Sequence, residues 1–431
     1  MAEPFRFIHA ADLHLDSPFR GLARAPERVR EQLAESTFAA LRRLTEAAFD
    51  TEADFIVLAG DLFDAADRSL KAQLMLVREW ERLREHGIGV FVIHGNHDPL
   101  SGAGAKLKLP DNVHVFGTEQ VECRPAYRRS GELAAFVYGI SYGSRTVTEN
   151  LAARYLARPG APFHIALLHG NVGGHAAHDP YAPCSLEELT HGGKGMDYWA
   201  LGHIHTRQVL HEYPHAVYAG NIQGRHPREA GPKGCYLVEV SASREVRLTF
   251  KPLDQVRWLE AEVGIGELQT EQELFELLAA EAERLAAEHA GGGLMLRCLL
   301  TGRGALHQTL SSRTVVRTLL EQLQDIGPAH ADWGWIHVYE LEVRTGLPIH
   351  WAELEREDSF SGELYRLSKR LEADEDLWRS FAESAVGPLA SHAKLGKYIG
   401  RALDELPGRW LEEARELTLG LVQGTESEER G

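Results

Sequence analysis

The 431-residue sequence contains no apolar run approaching the ~20 residues that a membrane-spanning helix requires. Met1 to Asp12 holds only a short apolar stretch, with no charged leading segment or cleavage site, so no signal peptide is expected. Cysteine is scarce: Cys123, Cys184, Cys235 and Cys298 lie far apart and form no Cys-x-x-Cys pair. That spacing excludes a zinc finger and fits a reducing, cytoplasmic setting, with each thiol an ordinary packing residue. Internal repeats and low-complexity tracts are missing too. So is a basic surplus: the formal net charge is −17, which at first sight opposes a polyanionic partner. The charge is uneven, however. Residues 1–255 hold 31 Asp and Glu against 28 Lys and Arg, so most of the excess lies beyond them. Overall acidity therefore leaves a nucleic-acid substrate open.

What is present describes a globular protein of two or three domains, 44% hydrophobic and 25% charged. Short β-rich runs alternate with amphipathic stretches through residues 1–255. Strands are predicted at Phe5–His9, Phe55–Leu58, Val90–Ile93, Ala135–Tyr138, Ile165–Leu168, Tyr198–Leu201 and Ala216–Tyr218, with helices at Pro26–Phe49 and Leu70–Glu85. Val113–Gly139 and Val209–Phe250 read as antiparallel β. The fold class is α/β: a β-sandwich flanked by helices over 1–255. A small α+β module follows over 256–345, then a helical region over 346–424 and a polar, disordered tail over 425–431.

Five predicted strands run directly into candidate metal ligands. They deliver Asp12 and His14, then Gly60-Asp61, then Gly95-Asn96-His97-Asp98, then His169, then Gly202-His203-Ile204-His205. Sites in open α/β sheets form beyond the carboxyl ends of strands, so these loops should converge. Carboxylate, imidazole and amide oxygen together suit Mn²⁺, Fe²⁺ or Zn²⁺ over a calcium cage or a thiolate site. A carboxylate that bridges two ions is needed to hold them ~3.5–4 Å apart, and Asp61 is the best candidate. Each fragment alone is weak, since a strand-end histidine is usually a hydrogen-bonded structural residue. Their ordered recurrence at five strand ends is specific.

This order of motifs resembles the calcineurin-like metallophosphoesterases over residues 5–255. The resemblance implies a hydrolase in which Asp12, His14, Asp61 and His205 hold one ion, and Asp61, Asn96, His169 and His203 the other, Mn²⁺ foremost. It also implies that His97 faces the scissile phosphate as transition-state stabiliser or general acid, with Asp98 orienting its ring. Gly60-Asp61-Leu62-Phe63-Asp64, Gly95-Asn96-His97-Asp98 and the opening Phe7–His14 look like the SbcD-type repair nucleases. His178–Pro183, Asp197–His205 and Gly220–His226 are most similar to the YhaO subfamily. Archaeal and eukaryotic relatives often have histidine where Asp64 stands, which leaves Asp64 open as a residue behind the metals or on the substrate side. The resemblance implies DNA as substrate, an exo- or endonuclease role in DNA repair, an SMC-like coiled-coil ATPase docked on the helical region, and a homodimer. The 256–345 module resembles the capping domain with which such nucleases shape access to DNA.

Arg225, His226, Arg228 and Lys233 form a basic loop that either contacts phosphate or is a solvated turn. Lys106, Lys108, Arg124, Arg128 and Arg129 read more readily as solvated loop charges. His9 and His94 read as packing residues beside the ligands, and His178 and His226 as candidates to line the cleft. A small-substrate phosphodiesterase or nucleotidase is the alternative within the same chemistry, and a non-catalytic repair scaffold the alternative outside it.

Overall fold

The computed structural model describes residues 3–19, 25–64, 69–102, 107–174, 181–289, 291–325, 334–390, 411–412, 414–420 and 422. His178, Lys106 and the tail 425–431 therefore lie outside the described residues. The apolar runs become strands β1 (Phe5–Ala10), β2 (Phe55–Ala59) and β3 (Gly89–Ile93), joined by helices α1 (Glu27–Asp50) and α2 (Leu70–Glu85). Next come β4 (Val113–Val115), β5 (Glu122–Tyr127), β6 (Leu133–Gly139), β7 (His164–His169), α3 (Leu186–His191), β8 (Tyr198–Gly202), β9 (Gln208–Glu212), β10 (His215–Tyr218), β11 (Gly234–Val240) and β12 (Val246–Pro252).

Two six-stranded mixed sheets result, in the orders β12-β11-β1-β2-β3-β4 and β5-β6-β7-β8-β10-β9. Alternation of side chains decides what each face packs against. Phe7, Phe55, Val57 and Ile93 of the first sheet meet Val137, Ile165, Leu167 and Tyr198 of the second in one core. The Phe7 and Phe55 rings stack at 5.3 Å, and Tyr198 meets Phe7 edge-on at 5.3 Å. The opposite side chains, Ile8, Ile56, Leu58 and Val92, pack on Phe38, Leu41, Leu44, Leu76, Trp80 and Leu83 of α1 and α2. Tyr138, Leu168, Trp199 and Tyr218 fill the outer face of the second sheet against Leu151, Tyr155 and Leu189. Both faces of the central strands are thus buried, which is why they read as continuous apolar runs.

One expectation is corrected. β5 with β6, β9 with β10 and β11 with β12 are antiparallel, but β4 runs parallel to β3. β4 pairs with β3 through Val90–Val113, Phe91–His114 and Val92–Val115.

The remaining elements are β13 (Val256–Gly264), α4 (Glu271–Glu288), β14 (Gly293–Arg303), α5 (His307–Leu310), α6 (Arg313–Gln324), β15 (Trp335–Gly346), α7 (Trp351–Leu354), α8 (Phe360–Ala373) and α9 (Glu375–Ala390). β13, β14 and β15 form a three-stranded sheet in chain order. Two compact units divide the chain: 1–260 with 282–297 and 326–339, and 261–281 with 298–325 and 340–431. Within the first, Val29 and Leu33 of α1 pack with Val256, Trp258 and Met295. Within the second, Leu354, Tyr365 and Leu419 are buried together, and Arg415 lies over the Trp351 ring at 4.9 Å. The four cysteines are free thiols, three of them buried.

Candidate metal centre

All five ligand-bearing loops leave the same end of the paired sheets. Beyond the last β1–β2 pair the two loops stay in register: the amides of Asp12, His14 and Leu15 donate to the carbonyls of Gly60, Asp61 and Leu62 at 3.0, 3.0 and 2.9 Å. Asp12, His14 and Asp61 have φ of 50°, 42° and 50°, in the left-handed region. Non-glycine residues held there cost on the order of 1–3 kcal/mol each, and such strain collects where function demands a geometry. Gly60 and Gly95 supply room. A Cβ on Gly95 would stand 2.3 Å from Asp61 Oδ1 and 2.6 Å from His169 Nε2, and one on Gly60 2.4 Å from His169 Nδ1.

The side chains then converge. Asp12, His14 and His205 place ligand atoms within 4.8 Å of one another, as do Asp12, Asp61 and His169. His14 Nε2 faces His205 Nε2 at 3.1 Å. Asp61 Oδ2 lies 3.3 Å from His169 Nε2 and 3.9 Å from His14 Nε2, and Asp12 is common to both groups. Asn96 Oδ1 is 3.0 Å from His169 Nε2. His203 donates its amide to the Asp12 carboxylate at 3.1 Å, and its ring meets that of His169 at 5.3 Å.

Hydrogen bonds at the far ring nitrogens set the tautomers. His169 Nδ1 donates to the Ala59 carbonyl at 2.9 Å, and His205 Nδ1 faces Glu229 Oε1 at 2.6 Å. Each Nε2 is thereby left to point into the site, as metal-binding imidazoles require. Asp12, His14, Asp61 and His169 are all buried. Burial raises the Asp12 carboxyl pKa and pushes that of His14 down to about 3. It also opposes the His169 imidazolium, but the Asp61 and Asp12 carboxylates outweigh it and push the pKa up to about 9. Burial likewise opposes charge on Asp61, yet His169, His14 and His97 hold its carboxyl well below the usual range. Two buried carboxylates among inward-facing imidazoles form a donor set that fits hard-to-borderline divalent cations.

His97 stands at the rim, its side chain 40% exposed. Its amide donates to Asp61 Oδ1 at 3.0 Å, and its Nδ1 to the Asp64 carbonyl at 3.0 Å. The Asp64 backbone thus holds the His97 ring at Nδ1. Asp98 is fully buried and ties the loops together from behind, accepting from the Leu62 and Gly95 amides at 3.0 Å each and from His94 Nδ1 at 2.8 Å. His9 is a packing residue, bonded through Nδ1 to the Tyr198 hydroxyl at 3.0 Å.

The basic loop is redistributed. Arg225 turns inward, its Nη1 donating to Asp64 Oδ1 at 2.6 Å and Ser17 Oγ at 3.2 Å, so its charge is engaged by a carboxylate of the site. Lys233 is buried, with Nζ on the His205 carbonyl at 3.0 Å. His226 stays 45% exposed, its Nε2 3.4 Å from Glu229. Glu229 itself is a member of the site that the sequence does not announce. It follows no strand, and its only signal is a Gly- and Pro-punctuated loop that returns it to the last ligand pair through a short 3-10 turn, Pro227–Glu229.

The calcineurin-like phosphoesterase family model matches residues 5–207. The metallophosphoesterase YhaO of Bacillus subtilis strain 168 is 39% identical over 406 residues, 94% of this chain and 95% of that protein. The chain belongs to the calcineurin-like metallophosphoesterases. A second family model, the YhaO metallophosphoesterase middle domain, matches residues 258–346. More distant similarity is to the DNA double-strand break repair protein Mre11 of two archaea. That of Methanopyrus kandleri is 25% identical over 62% of this chain and 61% of its own length, and that of Sulfurisphaera tokodaii 31% over 48% and 50%.

Proposed function

We propose that this metallophosphoesterase is a metal-dependent DNA nuclease, an exo- or endonuclease subunit of a repair complex in the cytoplasm. The observation that carries the reading is Asp61, placed between His14 and His169 with the exposed His97 on the same carboxylate. Asp12, His14, Asp61 and His205 would hold one divalent ion, and Asp61, Asn96, His169 and His203 a second, with Mn²⁺ the first choice and Fe²⁺ or Zn²⁺ next. When bound, such ions supply positive charge for the phosphoryl oxygens and make water a better nucleophile at neutral pH.

The protein's own groups do the rest. His97 keeps Nδ1 on the Asp64 carbonyl, so its Nε2 is free to hydrogen-bond a phosphoryl oxygen or to give a proton to the leaving oxygen. Asp98 and the paired β1 and β2 loops keep the Asp61–His97 segment from shifting. Similarity to proteins named for double-strand break repair supports DNA as the substrate. The C-terminal helices support docking of a coiled-coil ATPase, because Phe360, Leu367, Leu377, Phe381 and Leu417 are exposed there. Among the described residues no helix is long and apolar enough to cross a membrane.

The test is hydrolysis of linear duplex and single-stranded DNA with Mn²⁺, beside a small phosphodiester and a nucleotide monophosphate. DNA cleavage that disappears in Asp61→Ala is expected. Hydrolysis of the small substrates alone, with the ATPase partner also supplied, would replace the nuclease reading by a small-substrate phosphodiesterase.

A further inference from the structure

His14 and His205 bring their Nε2 atoms to 3.1 Å, and behind each ring stands a carboxylate. Glu229 Oε1 is 2.6 Å from His205 Nδ1, and Asp64 Oδ1 is 3.3 Å from His14 Nδ1. Arg225 lies between the two carboxylates. Its Nη1 donates to Asp64 Oδ1 at 2.6 Å, and its Nη2 is 3.5 Å from Glu229 Oε1. The second oxygen of Glu229 accepts from the Arg225 amide at 2.7 Å and from the Asn221 side chain at 3.0 Å. Glu229 is 5% exposed and the Arg225 side chain 11%, so these contacts are shielded from solvent screening.

We propose that Glu229, Arg225 and Asp64 form one positioning relay that fixes the tautomer and tilt of His205 and His14 towards the divalent-cation site. The inference rests on the metal-centre reading given above. An ionised carboxylate only accepts hydrogen bonds, so Glu229 demands the proton on His205 Nδ1 and leaves its Nε2 as a lone pair, while the Asp64 charge 3.3 Å from His14 Nδ1 favours the same tautomer there. Two carboxylates facing one arginine, Glu229 buried and Asp64 half-buried, would repel one another, and the planar guanidinium neutralises both while holding their separation. The Asp64 end also reaches the rim, because its carbonyl orients His97. A loop that sequence alone offers as a phosphate contact is, on this geometry, the brace behind the ligands.

The experiment uses the full chain, stripped of metal, titrated calorimetrically with Mn²⁺ as wild type, Glu229→Gln, Glu229→Ala, Asp64→Asn and the Glu229→Gln/Asp64→Asn double variant. Circular dichroism confirms folding in each. Losing such a bond to a ligand imidazole typically weakens metal binding by ~10–100-fold. Glu229→Ala is expected at the upper end of that range, and Glu229→Gln, whose amide oxygen still accepts from Nδ1, at the lower. Excess Mn²⁺ should restore turnover in Glu229→Gln, which a merely structural defect would not allow. Because the relay acts as a unit, the double variant should lose less than the product of the single losses. If Glu229→Ala fails to fold, the isosteric Glu229→Gln carries the test. Wild type that binds while the Glu229 variants bind equally well overturns the relay alone. Wild type that binds no Mn²⁺ overturns the metal-centre reading and the relay with it.

Discussion

A single methyl group at Gly95 tests the packing of the centre. Its Cβ would sit 2.3 Å from Asp61 Oδ1 and 2.6 Å from His169 Nε2, about 1 Å inside ordinary contact. Neither neighbour yields without loss. Asp61 Oδ1 also holds the His97 amide, and His169 is fixed at its far nitrogen by Ala59. Overpacking of this kind costs ~1–3 kcal/mol, and losing the charge-assisted bond to His97 adds ~1.5–3 kcal/mol. Displacing reacting groups by ~1 Å is worth ~100-fold in rate. Gly95→Ala should therefore fold with a lowered melting temperature, bind Mn²⁺ weakly and hydrolyse a phosphodiester at about 1% of the wild-type rate. Gly264→Ala is the control, since nothing lies within 4 Å of its added methyl. Mn²⁺ affinity and phosphodiester turnover, measured side by side, decide the matter. Wild-type values for both in Gly95→Ala would refute the placement of Asp61 and His169 around this glycine.

Other consequences are separable. His97→Ala removes an exposed ring, so stability and Mn²⁺ binding should persist while diester turnover falls ~10²–10⁴-fold; unchanged turnover would remove His97 from the chemistry. His9 is buried and its pKa is pushed down to about 3, so between pH 6.5 and 3 the unfolded chain takes up a proton that the folded chain refuses. Its contribution is complete above pH 6.5 and declines by ~1.4 kcal/mol per unit as pH falls. Urea midpoints from pH 7 to 4.5 should accordingly fall more steeply for wild type than for His9→Gln, and parallel curves would contradict the burial argument. Ser69 caps α2 by accepting from the Ala72 amide at 3.1 Å, so Ser69→Ala should lower stability by ~1 kcal/mol, read as an earlier urea midpoint; an unmoved midpoint would show the cap to be idle.

The layout of the catalytic unit was legible because burial on both faces leaves apolar runs, and because metal ligands follow those runs directly. Phe55–Ala59 delivering Gly60-Asp61 is such a case, and α1 and α2 show the matching amphipathic period. The parallel entry of β4 was not legible, since a strand of three half-buried residues reveals its length and not its direction. Asp98 illustrates a different limit. Its neighbour His97 is adjacent in sequence, yet its carboxylate bonds Leu62 and Gly95 because the chain reverses there, and only three-dimensional placement distinguishes the two. Lys233 and Arg225 read as surface cations because composition says nothing about which way a loop residue turns. Glu229 lacked even that signal, being one acidic residue among many until the fold sets it against His205.

Mn²⁺ stoichiometry in wild type and Asp61→Ala tests the central claim most directly. A carboxylate shared between the two ligand clusters predicts two ions per wild-type chain and loss of both in Asp61→Ala, with the fold retained by circular dichroism. Undiminished binding in the variant would contradict the account, and so would a wild-type chain that takes up none.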